Sequence, residues 1–136
     1  MEKRKVTTGF TLIEVIVVVI IVSILVSLSV PLYNRTLERS RDYEAKSNLK
    51  LIQAAEEIYR TKNGFYYPNS PGETDINAIN LALGLNLNER YWDYIVESGV
   101  NVFSAGATRL PPTGGFNRGY SIDNASSEPL CSGNCP

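Results

Sequence analysis

The sequence predicts an α+β fold in which one long N-terminal α-helix, transmembrane in its first half and amphipathic in its second, packs against a small antiparallel β-sheet domain. Three observations lead there. Phe10 to Leu32 is a run of 23 residues, rich in Val, Ile and Leu, that carries a single charge, Glu14. Ala45, Leu49, Ile52, Ala55 and Tyr59 then recur every three or four residues, the period of an amphipathic helix. Beyond Gly64 the chain turns to short aromatic or β-branched runs separated by Gly, Pro, Asn and Ser, which reads as strands and turns. The expected organisation is a leader over 1–9, a membrane and assembly half-helix over 10–33, an amphipathic half-helix over 34–62 and a small C-terminal domain over 63–136.

About 20 apolar residues suffice to cross the hydrocarbon core of a bilayer as a helix, so the run from Phe10 to Leu32 is a membrane span. Lys3, Arg4 and Lys5 precede it, which places the N-terminus in the cytoplasm, although Arg35, Arg39 and Arg41 on the far side weaken the contrast. Two ordinary readings compete. A secretory signal would use the small triplet Ser27-Leu28-Ser29 for cleavage, but the apolar stretch exceeds the usual 7 to 15 residues of such a signal and an acid interrupts its start. A plain signal anchor fits the length and leaves Glu14 without a role.

Gly9-Phe10-Thr11-Leu12-Ile13-Glu14, preceded by a short basic leader and followed by an apolar helix, resembles the class III signal of the type IV pilin superfamily, which includes the pseudopilins of type II secretion. The resemblance implies that a prepilin peptidase of the bacterial inner membrane cuts between Gly9 and Phe10 and methylates the new Phe10 terminus. Pro31 falls where that family commonly has a helix-kinking proline. The resemblance also implies a filament built from this subunit and related minor subunits on an inner-membrane assembly platform. The subunit would begin as a single-pass precursor in the lipid bilayer and end in a periplasmic pseudopilus or a cell-surface pilus.

The acid then acquires a physical role. Cleavage before Phe10 creates an α-amine whose unperturbed pKa is about 7.7 to 8, and a secondary amine stays cationic. A lone charge against apolar surface is costly, and a hydrogen-bonded pair of opposite charges recovers much of that cost. Glu14 is expected to meet such an amine, preferably that of a neighbouring subunit, which would set axial register. The bland alternative is an acid lying beside a helix N-terminus, where the macrodipole favours anions.

Pro31 lacks an N–H and crowds the preceding turn, so a kink is expected there. In the amphipathic half, Leu51 and Ile58 are expected to broaden the apolar stripe, and Asp42–Lys46 and Glu56–Arg60 to form ion pairs one turn apart on a solvated face. Asn63-Gly64 should end the helix, about 80 Å from its start at 1.5 Å per residue. "NGFYYPNSPGETD" reads as a loop and "DINAINLALGL" as a short helix. Strands are expected at Asp93–Glu97, Val100–Phe103 and Gly119–Ile122, with turns at Ser98-Gly99 and Leu110–Gly115. Cys131 and Cys135, the two cysteines of the chain, read as one disulfide pinning the tail and point to an oxidising compartment.

Composition narrows the function. The chain has no histidine, and neither a P-loop nor a G-x-S-x-G motif, so nothing nominates a catalytic residue or a resident cofactor. A net charge of −1 without a basic block gives no reason to expect nucleic acid as a partner. Some pseudopilins hold calcium in a late loop, and Asp123, Asn124, Ser126 and Glu128 offer oxygen ligands there; a polar turn accounts for them equally. Phe65, Tyr66, Tyr67, Tyr91, Trp92 and Tyr94 suit a core or subunit interface better than a sugar-binding patch. The competing class is a membrane-anchored periplasmic binding module that does not polymerise.

Overall fold

The computed structural model describes residues 9–68, 72–110, 118–133 and 135. The basic leader residues Lys3 to Lys5, the Asn69–Pro71 part of the expected loop and the Pro111–Gly115 part of the expected turn lie outside the described residues. The architecture is α+β: a helix α1 (Leu12–Asn63), a short helix α2 (Ile76–Leu83), and strands β1 (Trp92–Gly99), β2 (Val102–Arg109), β3 (Arg118–Asp123) and β4 (Leu130–Gly133). The chain divides into two compact units, Met1–Glu38 and Arg39–Pro136.

The first unit contributes the N-terminal part of α1. Val and Ile are not strong helix formers in water, but in hydrocarbon a segment must satisfy its backbone within itself, and a helix does so. Every residue from Gly9 to Thr36 is exposed, as suits a segment whose solvent is lipid. The hydroxyls in this stretch bond back to their own helix: Ser23 to the Val19 carbonyl at 2.6 Å, Ser27 to Ile24 at 2.8 Å and Ser29 to Leu25 at 2.8 Å. The helix continues through Pro31, which stands inside it.

The second unit is organised by the C-terminal part of α1 against the sheet. The strands follow one another as an antiparallel meander in the order β1-β2-β3-β4. Trp92, Tyr94 and Val96 of β1, Phe103, Ala105 and Ala107 of β2, and Tyr120 and Ile122 of β3 alternate into one buried face. Large and small residues interleave across it. Ala107 stands opposite both Tyr94 and Tyr120, and Ala105 opposite both Val96 and Ile122, so β2 is a trough between bulky walls. Ala45, Leu49 and Ile52 of α1, all fully buried, complete that core with Ile79 of α2. Two hydrogen bonds fix the helix on the sheet: Trp92 Nε1 donates to the Arg41 carbonyl at 2.9 Å, and Asn48 Nδ2 donates to Tyr94 Oη at 2.8 Å.

Chain ends of the elements follow cap chemistry. Gly64, at φ 86°, ends α1 and donates its N–H to the Arg60 carbonyl at 2.7 Å. Asp75 caps α2 by accepting from Asn77 N at 2.9 Å, and Gly84, at φ 67°, closes it.

Several expectations are corrected. Leu51 and Ile58 are about half exposed and lie off the buried stripe, because each sits roughly 100° around the helix from a neighbour that faces inward or sideways. Asp42 does not face solvent with Lys46; it is buried and paired with Arg118, while Lys46 Nζ lies 5.0 Å over the Tyr120 ring. Glu56 is fully buried and turned to the backbone of Tyr67, whereas Arg60 bonds the Tyr66 hydroxyl at 2.9 Å. The β1–β2 turn is Val100-Asn101, with Asn101 at φ 63°, and Ser98-Gly99 belongs to β1. β2 therefore begins two residues later and runs to Arg109 through Ser-Ala-Gly-Ala, residues of low strand propensity placed where bulky neighbours leave little room. β4 was not anticipated at all.

Candidate functional site

The peptide bond that the sequence nominates for cleavage lies just outside regular structure. Gly9 and Phe10 precede α1, Phe10 is 89% exposed, and no heavy atom lies within 4 Å of a Cβ built on Gly9. A processing enzyme would meet an open, unfolded dipeptide rather than a helical turn.

Glu14 sits in the first turn of α1, and its immediate partner is Thr11. The Thr11 N–H donates to Glu14 Oε2 at 2.8 Å, the Thr11 hydroxyl donates to the same oxygen at 2.7 Å, and Glu14 N donates back to Thr11 Oγ1 at 3.4 Å. This is a capping box, in which a Thr at the N-cap and an acid three residues on satisfy each other's free N–H groups. Its sequence signal is Thr-x-x-Glu immediately before an apolar run, a pattern that the acid's charge in that run overshadows. The box fixes the carboxylate at the mouth of the helix. Oε1 has no hydrogen bond among the described residues, so one oxygen is committed to the cap and the other is open to a further donor.

A basic leader, an exposed Gly-Phe bond and a capped acid at the start of an apolar helix form one unit, and a family model covers it. Residues 4–30 match the prokaryotic N-terminal methylation motif. This motif is the type IV pilin and pseudopilin signature, and over residues 4–30 it supports a pilin-like or pseudopilin precursor. It implies processing by a prepilin peptidase, and together with an N-terminal helix long and apolar enough to span a bilayer it fits a membrane-anchored precursor. Within the methylation motif the matched region ends one residue before Pro31. Neither the curated proteins nor the solved structures yield a match to this chain.

In the second unit, the candidate calcium ligands are occupied by protein donors. Asp123 Oδ1 accepts from Ala125 N at 2.9 Å and Ser126 N at 2.7 Å. Gln53 Nε2 on α1 bonds the carbonyls of Asp123 and Ser126 at 2.9 and 2.8 Å, and Lys50 Nζ pairs with Glu128. The Ser126 hydroxyl first, and then the Ala125 and Ser126 N–H groups, hold the Asp123 carboxyl below its ordinary range, so it is an acceptor-only turn former. Among the described residues no group of three His, Cys, Asp or Glu converges in metal-binding geometry. Asn124 makes no contribution of its own to this arrangement.

The aromatic residues do not assemble into a patch. Tyr66, Trp92 and Tyr94 are buried, Tyr67 and Tyr91 are half-buried, and Phe65 alone is exposed, edge-on to Tyr59 at 6.0 Å. Cys131 and Cys135 are joined, with Cα atoms 6.1 Å apart, closing the end of β4.

Proposed function

We propose that the chain is cut between Gly9 and Phe10, methylated on the new Phe10 amine and polymerised from the inner membrane into a helical filament, a type IV pilus or a type II secretion pseudopilus. The observation that carries this reading is Glu14, an exposed carboxylate in an apolar segment with one oxygen held by Thr11 and the other unbonded. Among the described residues of the precursor, the Thr11 cap is what compensates the acid. After cleavage a cationic amine stands on Phe10 and donates a hydrogen bond to the open oxygen of a neighbouring subunit's Glu14, both groups keeping their charge.

The energetics follow from the medium. A helix of this apolarity does not leave lipid for water unaided, and burial among identical helices replaces lipid contacts with protein contacts. Leaving one amine or one acid unmatched in that interior is strongly unfavourable, so the ion pair selects a single axial offset between neighbours. A long rod offset against its copy makes a heterologous contact that does not close on itself, which is the condition for a fibre. The assembly machinery, minor subunits and prepilin peptidase are partners of this reading, and no metal or nucleic acid takes part in it.

The test is the mass and first residue of the mature protein, followed by imaging of filaments sheared from cells. A chain beginning at N-methylated Phe10 and present in the filaments is expected. A mature chain that retains Met1, or that begins near Val30, removes the proposal.

A further inference from the structure

Glu56 is the one acid of α1 that is wholly sealed from solvent, and nothing in filament assembly uses it. Its Oε2 accepts the Tyr67 N–H at 2.9 Å, while Oε1 is buried and has no hydrogen-bond partner among the described residues. A carboxylate has about four acceptor sites, so an ionised Glu56 would leave most of its charge uncompensated. The neutral acid suits the site: its carbonyl oxygen accepts the one N–H on offer.

Among the described residues the surroundings withhold a counter-charge. On α1, Glu57 lies next in sequence and repels a second anion, and Arg60 is committed to the Tyr66 hydroxyl and ring. From the chain after the helix, the Tyr66 hydroxyl donates a hydrogen bond to Glu57 Oε1 at 2.8 Å, and the ring of Tyr67 packs edge-on to Tyr59 at 5.7 Å. The acids Glu73 and Asp75 face the Tyr67 hydroxyl and add further negative charge to this side. From the sheet, Ser98 Oγ donates to the Pro68 carbonyl at 3.3 Å and carries no charge.

We propose that Glu56 is a proton-operated latch. As the neutral acid it ties the Tyr66–Pro68 segment to α1 through the Tyr67 amide; on ionisation the segment parts from the helix so that water reaches the carboxylate. Burial is the main reason the acid holds its proton, with repulsion from Glu57 adding to it and the Tyr67 N–H opposing it, and the balance pushes its pKa up to about 7. The latch therefore works in the neutral range, where an ordinary glutamate is long since ionised. It is independent of the filament reading, since it needs neither cleavage nor assembly.

The experiment uses the full, uncleaved chain in detergent micelles. Hydrogen-exchange protection of the Tyr66 and Tyr67 amides, corrected for intrinsic rate, is measured at pH 5.5 and pH 8.5 in the wild type and in Glu56→Gln, a permanently neutral mimic. Protection is expected to fall at least tenfold in the wild type and to stay level in Glu56→Gln. Equal protection of the wild type at both pH values, or a Glu56→Gln protein that follows the wild type, overturns the latch. Should Glu56→Gln fail to fold, a carbon-13 titration of the wild-type glutamate carboxyls decides: one carboxyl titrating near pH 7 together with the Tyr67 amide supports it, and all carboxyls titrating in the ordinary acidic range overturns it.

Discussion

Asp42 of α1 and Arg118 of β3 form an ion pair inside the protein, with Oδ1 and Nε 3.2 Å apart and both side chains about 95% removed from solvent. The pair joins the helix to a sheet strand 76 positions later in the chain. Removing one member takes from the other a buried partner of opposite charge, so Asp42→Ala or Arg118→Ala is expected to cost about 3 to 5 kcal/mol. The double replacement Asp42→Leu with Arg118→Met should recover most of that loss, because apolar substitutes of similar volume remove both buried charges of the pair together. Chemical denaturation of the three variants checks this, and equal losses in the single and double variants would refute the pairing.

The Thr11–Glu14 cap separates two roles of the acid. Thr11→Ala removes the N-cap and should cost about 0.5 to 2 kcal/mol of helix stability while leaving the carboxylate in place. Glu14→Val removes the charge as well. Both variants are expected to insert and be processed. Glu14→Val should then form few filaments and Thr11→Ala more, a difference read by immunoblotting sheared fractions. Normal filament yield from Glu14→Val would contradict the amine pairing.

The buried acid sets a pH dependence of stability. Folded Glu56 keeps its proton up to about 7, against 4.5 for the unperturbed group, so the folded chain binds the extra proton between those values. The contribution is fully present below about 4.5 and is lost as pH rises through about 7, on the order of 3 kcal/mol in total. Glu56→Gln should flatten this part of the curve. Thermal unfolding from pH 5 to pH 8.5 measures it, and a wild-type stability that rises across that window would show the sign to be wrong.

Calcium should not matter to the late loop. Gln53 and Lys50 already supply the donors that hold Asp123, Ser126 and Glu128 against α1. Millimolar calcium and millimolar chelator are therefore expected to give the same melting temperature. Gln53→Ala should lower it, with a loss of about 1 to 3 kcal/mol of stability for two partly buried carbonyls left without that donor. A rise of several degrees with calcium would mean that the loop rearranges to take the ion.

Much of the architecture was legible from local chemistry. The span from Phe10 to Leu32, the helix end at Asn63, the short helix after Asp75 and strands β1 and β3 each carry a signal within a few residues: an apolar run, a Gly at a left-handed cap, an N-cap acid, or alternating aromatic and β-branched side chains. β2 carried one only at its start, Val102-Phe103, and β4 carried none. Ser-Ala-Gly-Ala is a strand only because Tyr94, Val96, Tyr120 and Ile122 flank it, and Leu130 to Gly133 is a strand only because β3 offers a free edge. The candidate site was legible in its residues, Gly9, Phe10 and Glu14, and the cap that holds Glu14 was legible too once the acid is paired with a residue three positions before it.

By itself, then, the sequence determined the membrane segment, the processing motif and the lone acid within it, because these depend on composition and spacing along a single helix. Tertiary structure alone decided which charges of α1 are structural. Asp42 and Glu56 look like solvated partners of Lys46 and Arg60 at helical spacing, and become a buried ion pair and a sealed neutral acid when the sheet and the Tyr66–Pro68 segment cover them. The reason is physical: helical periodicity states which residues share a face, whereas the field that a charge feels depends on what, from distant parts of the chain, is laid over that face.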